Sequence, residues 1–195
     1  MATRSLILKE KEDGGYEAIY CHSDGYLTHN GAILLDHYGE RERVEELFKR
    51  GDLSYLAPIL DPEKTKYHTY DNPCSNVCVF YGRDRGYSAE DTVPFKCTLE
   101  EIDKDPLIEY AYIFDKNNTW KYFEVGEFKK DGLKSLKTGL DNLFKEWGFP
   151  RPIGMYGWYS NKEIELFKNR YESFNKDPSQ DEEKSERKEE EVTRD

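Results

Sequence analysis

The chain has 195 residues, of which 36% are hydrophobic and 35% are charged, and its formal net charge at pH 7 is −11. This length is sufficient for one domain with a sizeable core, and an aromatic share of 14% argues against disorder over most of it. The negative charge disfavours unspecific nucleic-acid binding, because phosphates would be repelled. Neither a membrane span of roughly 18 apolar residues nor a secretory signal is evident. We therefore expect a cytoplasmic protein that does not associate with membranes.

A β-hairpin and a sharp corner are the first predicted elements. Residues 5–9 and 16–22 are rich in β-favouring side chains and flank a glycine-containing turn, which is a strong hairpin signal. The pair Asp24 and Gly25 then interrupts the second strand, because glycine adopts positive φ at little steric cost. A helix is predicted over residues 32–38, so the corner joins a strand to a helix.

Four polar residues around this corner form the first candidate binding site, and they are His22, Asp24, Tyr26 and His29. Histidine and carboxylate groups suit both a divalent metal ion and acid–base chemistry. In a second interpretation Asp24 only shapes the turn and the histidines bond to the backbone, since the spacing matches no established metal motif. Both interpretations stay open, and no cofactor, metal or catalytic residue is assigned.

The start of the chain and this corner together resemble a family of small proteins from phages and other mobile elements of Gram-positive bacteria. Its members share a T-R-S strand and a Y-x-H-x-D-G-Y run, which correspond here to Thr3, Arg4, Ser5, Tyr20, His22, Asp24, Gly25 and Tyr26. The resemblance is close over residues 1–55 and loose over the rest of the chain. The chain departs from it at Ser23, where many members have Trp, and at Leu27, where they have Pro. The resemblance implies a genomic setting and assigns no chemistry.

The middle of the chain carries a second candidate binding site. A helix is predicted over residues 40–50, an irregular loop over 58–73 and a strand over 77–81. Arg83 and Arg85 follow between two glycines, where the backbone can approach an anion such as a phosphate closely. The alternative is a polar hairpin connection with a solvated Arg–Asp pair, because the features of a P-loop are missing from the sequence.

The cysteines offer a possible zinc site. Cys74 and Cys78 have a short spacing that zinc ligands use, with His68 upstream and Cys97 downstream. However, Cys78 falls within an apolar run, where a free thiol is commonly buried. We therefore assign no metal and expect all four cysteines to be reduced in the cytoplasm.

The C-terminal half predicts a second hairpin and two helices. Alternating aromatic residues over 107–115 and 119–125 indicate the hairpin. An apolar stripe over 133–147, followed by glycine and proline, indicates the strongest helix. The last helix is predicted to start at a Ser160–Glu163 capping box, and its expected buried side comprises Ile164, Phe167, Tyr171 and Phe174.

These elements predict an α+β fold in one domain over residues 1–174. The sheet is expected to be antiparallel or mixed, because the strands come in hairpins, with about four helices packed on it. Residues 175–195 contain nine acidic and five basic residues and almost no apolar ones. We expect this charged tail to be disordered or to form a frayed, charged helical extension.

Two functions are consistent with these patterns. The first is an acidic binding protein of a mobile element, in which the resemblance suggests an inhibitor of a host defence nuclease such as a CRISPR effector. It would occupy the basic surface of a nucleic-acid-binding protein and would need no catalytic residue. The alternative is a small metal-dependent enzyme with a site at His22, Asp24 and His29. Stoichiometric binding of Mn²⁺ or Zn²⁺ would distinguish the second from the first.

Overall fold

The fold is α+β, as the sequence predicts, in a computed structural model that describes residues 2–175. The strands are β1 (Ser5–Glu10), β2 (Tyr16–Cys21), β3 (Leu53–Tyr55), β4 (Val79–Phe80), β5 (Phe95–Cys97), β6 (Tyr110–Phe114), β7 (Trp120–Glu124) and β8 (Lys134–Ser135). A π-helical turn (Leu27–Gly31) leads into α1 (Ala32–His37), which is followed by α2 (Arg41–Arg50), α3 (Tyr81–Arg85), α4 (Leu99–Ile102), α5 (Phe128–Asp131), α6 (Leu136–Glu146) and α7 (Asn161–Phe174). Except for Asn175, the predicted charged tail lies outside the described residues.

The strands form one mixed sheet in the order β4-β3-β2-β1-β6-β7-β8, with β5 paired to β2. Both predicted hairpins are confirmed, because β1 pairs antiparallel with β2 and β6 pairs antiparallel with β7. The two hairpins are joined by parallel pairing of β1 with β6, from Ser5 opposite Tyr110 to Lys9 opposite Phe114. Residues 5–8 are all buried, as expected for a central strand that is covered on both faces.

The core occupies both faces of this sheet, and the alternation of side chains along β1 and β6 divides it. One face carries the cluster of Leu6, Leu8, Ala18, Leu99, Ile102, Ile108, Ala111, Ile113 and Phe123. On the other face lies Tyr112, whose hydroxyl donates to the Gly25 carbonyl at 2.7 Å. A Cβ atom added at Gly31 would lie 3.1 Å from Leu136 and 3.2 Å from Tyr112. The corner and the start of α6 therefore cover this second face.

The described residues divide into two compact units. The first comprises residues 2–143 and 151–158 and contains the sheet, and the second comprises residues 144–150 and 159–175. The single domain expected over residues 1–174 stays a prediction. In the second unit the Ser160–Glu163 capping box is confirmed, and edge-to-face aromatic contacts join Phe167 to its neighbours Phe149 and Tyr159.

The predicted buried side of α7 is only partly correct. Ile164 and Phe167 are half-buried, whereas Tyr171 is 40% exposed and Phe174 is 81% exposed. Apolar residues at helical spacing show which side of a helix can be buried, but burial also requires a partner. The apolar side chains of the last turn are therefore exposed in the structure.

The region predicted as a hairpin connection between glycines forms α3 instead. The Asp84 carboxylate accepts a hydrogen bond from the backbone N–H of Phe80 at 2.7 Å, which secures the start of the helix. Gly86 ends α3 with φ of 73°, a conformation that glycine adopts readily. The predicted strand over residues 77–81 is correspondingly reduced to β4. Short helices of this kind raise the number from the expected four to seven within residues 2–175.

A half-buried carboxylate accepts a hydrogen bond from the backbone of β2. Residues 16–18 of β2 pair with β5, and Cys21 pairs with β3. Tyr20 lies between them, and its N–H donates to the Asp52 side chain at 2.7 Å. Burial raises the pKa of Asp52 to about 6, and the hydrogen bond from Tyr20 opposes that shift. The folded protein therefore holds this proton more tightly than the unfolded chain does, and this contribution to stability is lost as pH rises from about 4 to 6.

We expect Asp52→Asn to stabilise the protein at pH 7, because the amide oxygen can still accept a hydrogen bond from the N–H of Tyr20 while the half-buried charge is removed. The gain should be on the order of 1 kcal/mol, since solvent screens a half-buried carboxyl. The free energy of unfolding in urea, measured from pH 4 to 7, checks this expectation. If the free energy of unfolding changed with pH in the same way for the variant and the natural protein, Asp52 would not titrate in this range.

Candidate functional site

The corner after β2 is fixed by backbone contacts with the N-terminal segment. Asp24 has φ of 56°, which aspartate tolerates better than most residues. The N–H of Gly25 donates to the Thr3 carbonyl at 2.8 Å. A Cβ atom at Gly25 would lie only 2.9 Å from atoms of Thr3, Arg4 and Ser5. Close packing therefore accounts for the glycine in this turn.

His29 lies inside the corner and is 4% exposed. Its Nδ1 atom is 3.0 Å from Asn30 Oδ1 and its Nε2 atom is 2.9 Å from the Tyr55 hydroxyl. Burial lowers the pKa of His29, although the charge of Asp24 partly opposes this. His29 is therefore a neutral side chain whose two ring nitrogens are both engaged by the protein.

Asp24 and Tyr26 lie beside His29. The Tyr26 hydroxyl donates to Asp24 Oδ1 at 3.3 Å, and its ring centroid is 6.0 Å from that of His29. Burial and the nearby Asp24 charge raise the pKa of Tyr26, so its hydroxyl stays protonated. The structure thus brings three of the four predicted corner residues into contact. His22 instead forms a hydrogen bond through Nδ1 with the Tyr20 hydroxyl at 2.9 Å, and it lines a surface groove that is described below.

The possible zinc ligands are held by backbone contacts. The Cys78 thiol is buried and lies 3.2 Å from both the N–H and the carbonyl oxygen of Ala57. His68 Nδ1 accepts from the N–H of Cys74 at 2.9 Å. Between residues 2 and 175, no three His, Cys, Asp or Glu side chains are grouped so that they could hold a metal ion.

The two arginines of the second candidate site have different surroundings. Arg83 Nη1 donates to the carbonyl of Leu60 at 2.7 Å and to Asp61 at 2.8 Å. Its Nη2 atom donates to the carbonyl of Cys78 at 2.6 Å, and its Nε atom donates to Asp84 at 2.7 Å. Arg83 therefore ties α3 to the preceding loop.

Arg85 is surrounded mainly by aromatic rings. Its guanidinium carbon lies 4.4 Å from the ring centroid of Tyr70, 4.8 Å from that of Tyr81 and 5.9 Å from that of Tyr87. Nη1 also donates to Ser54 Oγ at 3.0 Å. In the part of the chain that the structure describes, no carboxylate forms an ion pair with Arg85.

Arg85 and His22, which belong to different predicted sites, line one groove of about 540 Å³. We call it the Arg85 groove, and its other lining residues are Ser23, Ser54, Tyr55, Tyr70, Pro73, Cys74, Ser75, Asn76, Val77 and Val79. The sequence contained one signal for the aromatic surroundings of Arg85, because two of the tyrosines that contact it, Tyr81 and Tyr87, flank the Arg-Asp-Arg run. Tyr70 and Ser54 come from a loop and from β3, so no local pattern could place them there.

A second groove, of about 530 Å³, lies beside the first hairpin and is lined only by charged residues. These are Lys9, Glu10, Lys11, Glu12, Asp13, Glu17, Arg41 and Glu45, and we call it the acidic groove. Lys9 contacts Glu45 at 2.5 Å and Glu17 at 3.5 Å. The exposed Glu12 and Asp13 have no basic partner among residues 2–175.

Comparisons of the chain with protein-family models, with curated proteins and with solved structures find no match. None of the helices described between residues 2 and 175 combines the length and the apolar character needed to cross a bilayer.

Proposed function

We propose that the chain is an acidic binding protein of a mobile element that acts in the cytoplasm by occupying the basic surface of a protein partner. Because of the resemblance at the N-terminus, we take this partner to be a host defence nuclease. The chain would then be an inhibitor of the anti-CRISPR kind. Such nucleases hold nucleic acid in a positively charged channel. A negatively charged protein can compete for that surface without any catalytic residue.

The acidic groove is the observation that carries this proposal. Five of its eight lining residues are acidic, and its basic residues already have partners within the protein. Lys11 contacts Glu17 at 3.2 Å, and Arg41 donates to the Asp115 carbonyl at 2.7 Å. Glu12 and Asp13 therefore present negative charge that can pair with lysine or arginine of a partner. Complementary charges of this kind mainly increase the association rate.

The proposal is tested with purified RNA-guided nucleases of Gram-positive hosts, assayed for DNA cleavage with and without the protein. We expect inhibition, and we expect association to slow as ionic strength rises from about 0.05 to 0.5 M, because the Debye length shrinks from roughly 14 to 4 Å. The double variant Glu12→Gln, Asp13→Asn should associate about twofold to tenfold more slowly. The matched control is Glu165→Gln, Glu172→Gln, which removes the same charge from exposed positions of α7.

Substitutions at the corner separate this proposal from the enzyme alternative. His22→Ala and Asp24→Asn should leave inhibition unchanged as long as the variants fold. The proposal would fail if the protein inhibited no nuclease, if both double variants slowed association equally, or if salt had no effect. Loss of a partner-free, metal-dependent activity in either corner variant would instead establish the alternative of a small enzyme with a site at His22, Asp24 and His29.

A further inference from the structure

The charge of Arg85 is unusual in its context. The chain has 40 acidic and 29 basic residues, so carboxylates are available to pair with most arginines and lysines. Arg83, two residues earlier, contacts both Asp61 and Asp84 at 2.7 to 2.8 Å. Arg85 donates one hydrogen bond, to the neutral hydroxyl of Ser54, and no other acceptor among residues 2–175 receives one from it. Its remaining donors are therefore available to a ligand.

The surroundings of Arg85 hold the guanidinium in place without neutralising it. Its guanidinium carbon lies over the rings of Tyr70 and Tyr81, 4.4 and 4.8 Å from their centroids, and these rings attract the positive charge without supplying a carboxylate that would neutralise it. An arginine held in this way loses less conformational entropy when a ligand binds. Guanidinium N–H groups donate hydrogen bonds to the oxygens of carboxylate and phosphate groups, often as two parallel bonds to one group.

The rest of the Arg85 groove adds polar donors and apolar walls. Ser23, Ser75 and Asn76 offer hydroxyl and amide groups, and Tyr55 and Val77 offer apolar surface. The volume of about 540 Å³ lies within the range of small-molecule sites, which combine apolar walls with a few polar groups.

We propose that the Arg85 groove binds a small molecule that carries an oxyanion, a phosphate or carboxylate group, on an aromatic body. Arg85 takes the oxyanion, and the tyrosine and valine side chains contact the aromatic body. The proposal does not depend on the proposed function, because the acidic groove is lined by other residues.

Four probes test this proposal with the full chain: phenyl phosphate, benzoate, inorganic phosphate and phenol. Binding is followed by NMR titration of the Arg85 Nε–H signal and by calorimetry. We expect saturable binding of at least one aromatic anion, weaker binding of inorganic phosphate and the weakest binding of phenol. Phenyl phosphate and benzoate together show which oxyanion is preferred. Arg85→Gln should weaken binding by about tenfold or more, since a charge-assisted hydrogen bond is lost.

Arg170→Gln is the matched control, because it makes the same charge change at an exposed position of α7 and should leave binding unchanged. If Arg85→Gln does not fold, two variants that keep the positive charge replace it. Arg85→Lys removes the planar guanidinium group, and Ser54→Ala removes the hydroxyl that accepts a hydrogen bond from Arg85. The proposal is overturned if neither aromatic anion binds saturably, if phenol binds as tightly as both, or if the Arg85 and Arg170 variants lose affinity equally.

Discussion

Gly51→Ala should destabilise the protein by about 3–5 kcal/mol, because it combines backbone strain with a collision. Gly51 follows α2 with φ of 75°, a conformation that residues with a Cβ atom rarely adopt. A Cβ atom at this position would lie 1.9 Å from the carbonyl oxygen of Thr92, and that oxygen accepts the N–H of Asp52 at 2.9 Å. Urea unfolding followed by circular dichroism measures the loss.

Gly132→Ala is the matched control for this variant. Gly132 has a similar backbone conformation, with φ of 66° and ψ of −160° against 75° and −149° at Gly51, but a Cβ atom there would meet nothing within 4 Å. It should therefore show only the cost of a backbone conformation that is almost confined to glycine, on the order of 1–3 kcal/mol. Equal losses for the two variants would contradict the close approach of Thr92 to Gly51.

Leu140→Ala should lower the free energy of unfolding by about 2–5 kcal/mol, the usual range for removing a buried leucine side chain. Leu140 lies in the middle of the apolar stripe of α6 and is fully buried, as is Leu136 one turn earlier. The loss has two parts, the lost burial of apolar surface and the cavity that remains. Thermal and urea unfolding at pH 7 both measure it.

Asn142→Ala serves as the control on the same helix, since Asn142 is exposed. Its effect should stay within about 0.5 kcal/mol, as is common for surface substitutions. A loss below about 1 kcal/mol for Leu140→Ala would mean that α6 packs on the sheet through a different side.

The two grooves have opposite electrostatic characters on one acidic protein. The acidic groove presents carboxylates whose effect on association depends on ionic strength, whereas Arg85 presents one cation within a small, aromatic site. A charge change in either groove should therefore leave binding at the other unchanged. Measuring both Glu12→Gln, Asp13→Asn and Arg85→Gln in both assays shows directly whether the two surfaces act separately.

The sequence alone determined the elements that depend on neighbouring residues. The two hairpins follow from short turns between β-rich runs, and α2 and α6 follow from apolar residues at helical spacing. The capping box of α7 and the glycine that ends α2 were likewise readable, because both act within one turn of their own helix. The α+β class follows from these elements together.

The tertiary structure alone decided how these elements meet. The parallel pairing of β1 with β6 joins Ser5 to Tyr110, and no turn connects such distant segments, so local patterns carry no signal for it. Burial of the last turn of α7 was predicted wrongly, because amphipathic spacing does not show whether a partner is present.

The candidate sites depended on the same long-range contacts. The sequence predicted four polar residues at one corner. In the structure His29 forms a hydrogen bond with Tyr55, and His22 lines the same groove as Arg85. The structure also gave Arg83 carboxylate partners and Arg85 tyrosine partners, although both arginines lie in one short run. Composition and spacing identify which groups can ionise or bond, but the environment of each group is set by residues that the fold brings from elsewhere in the chain.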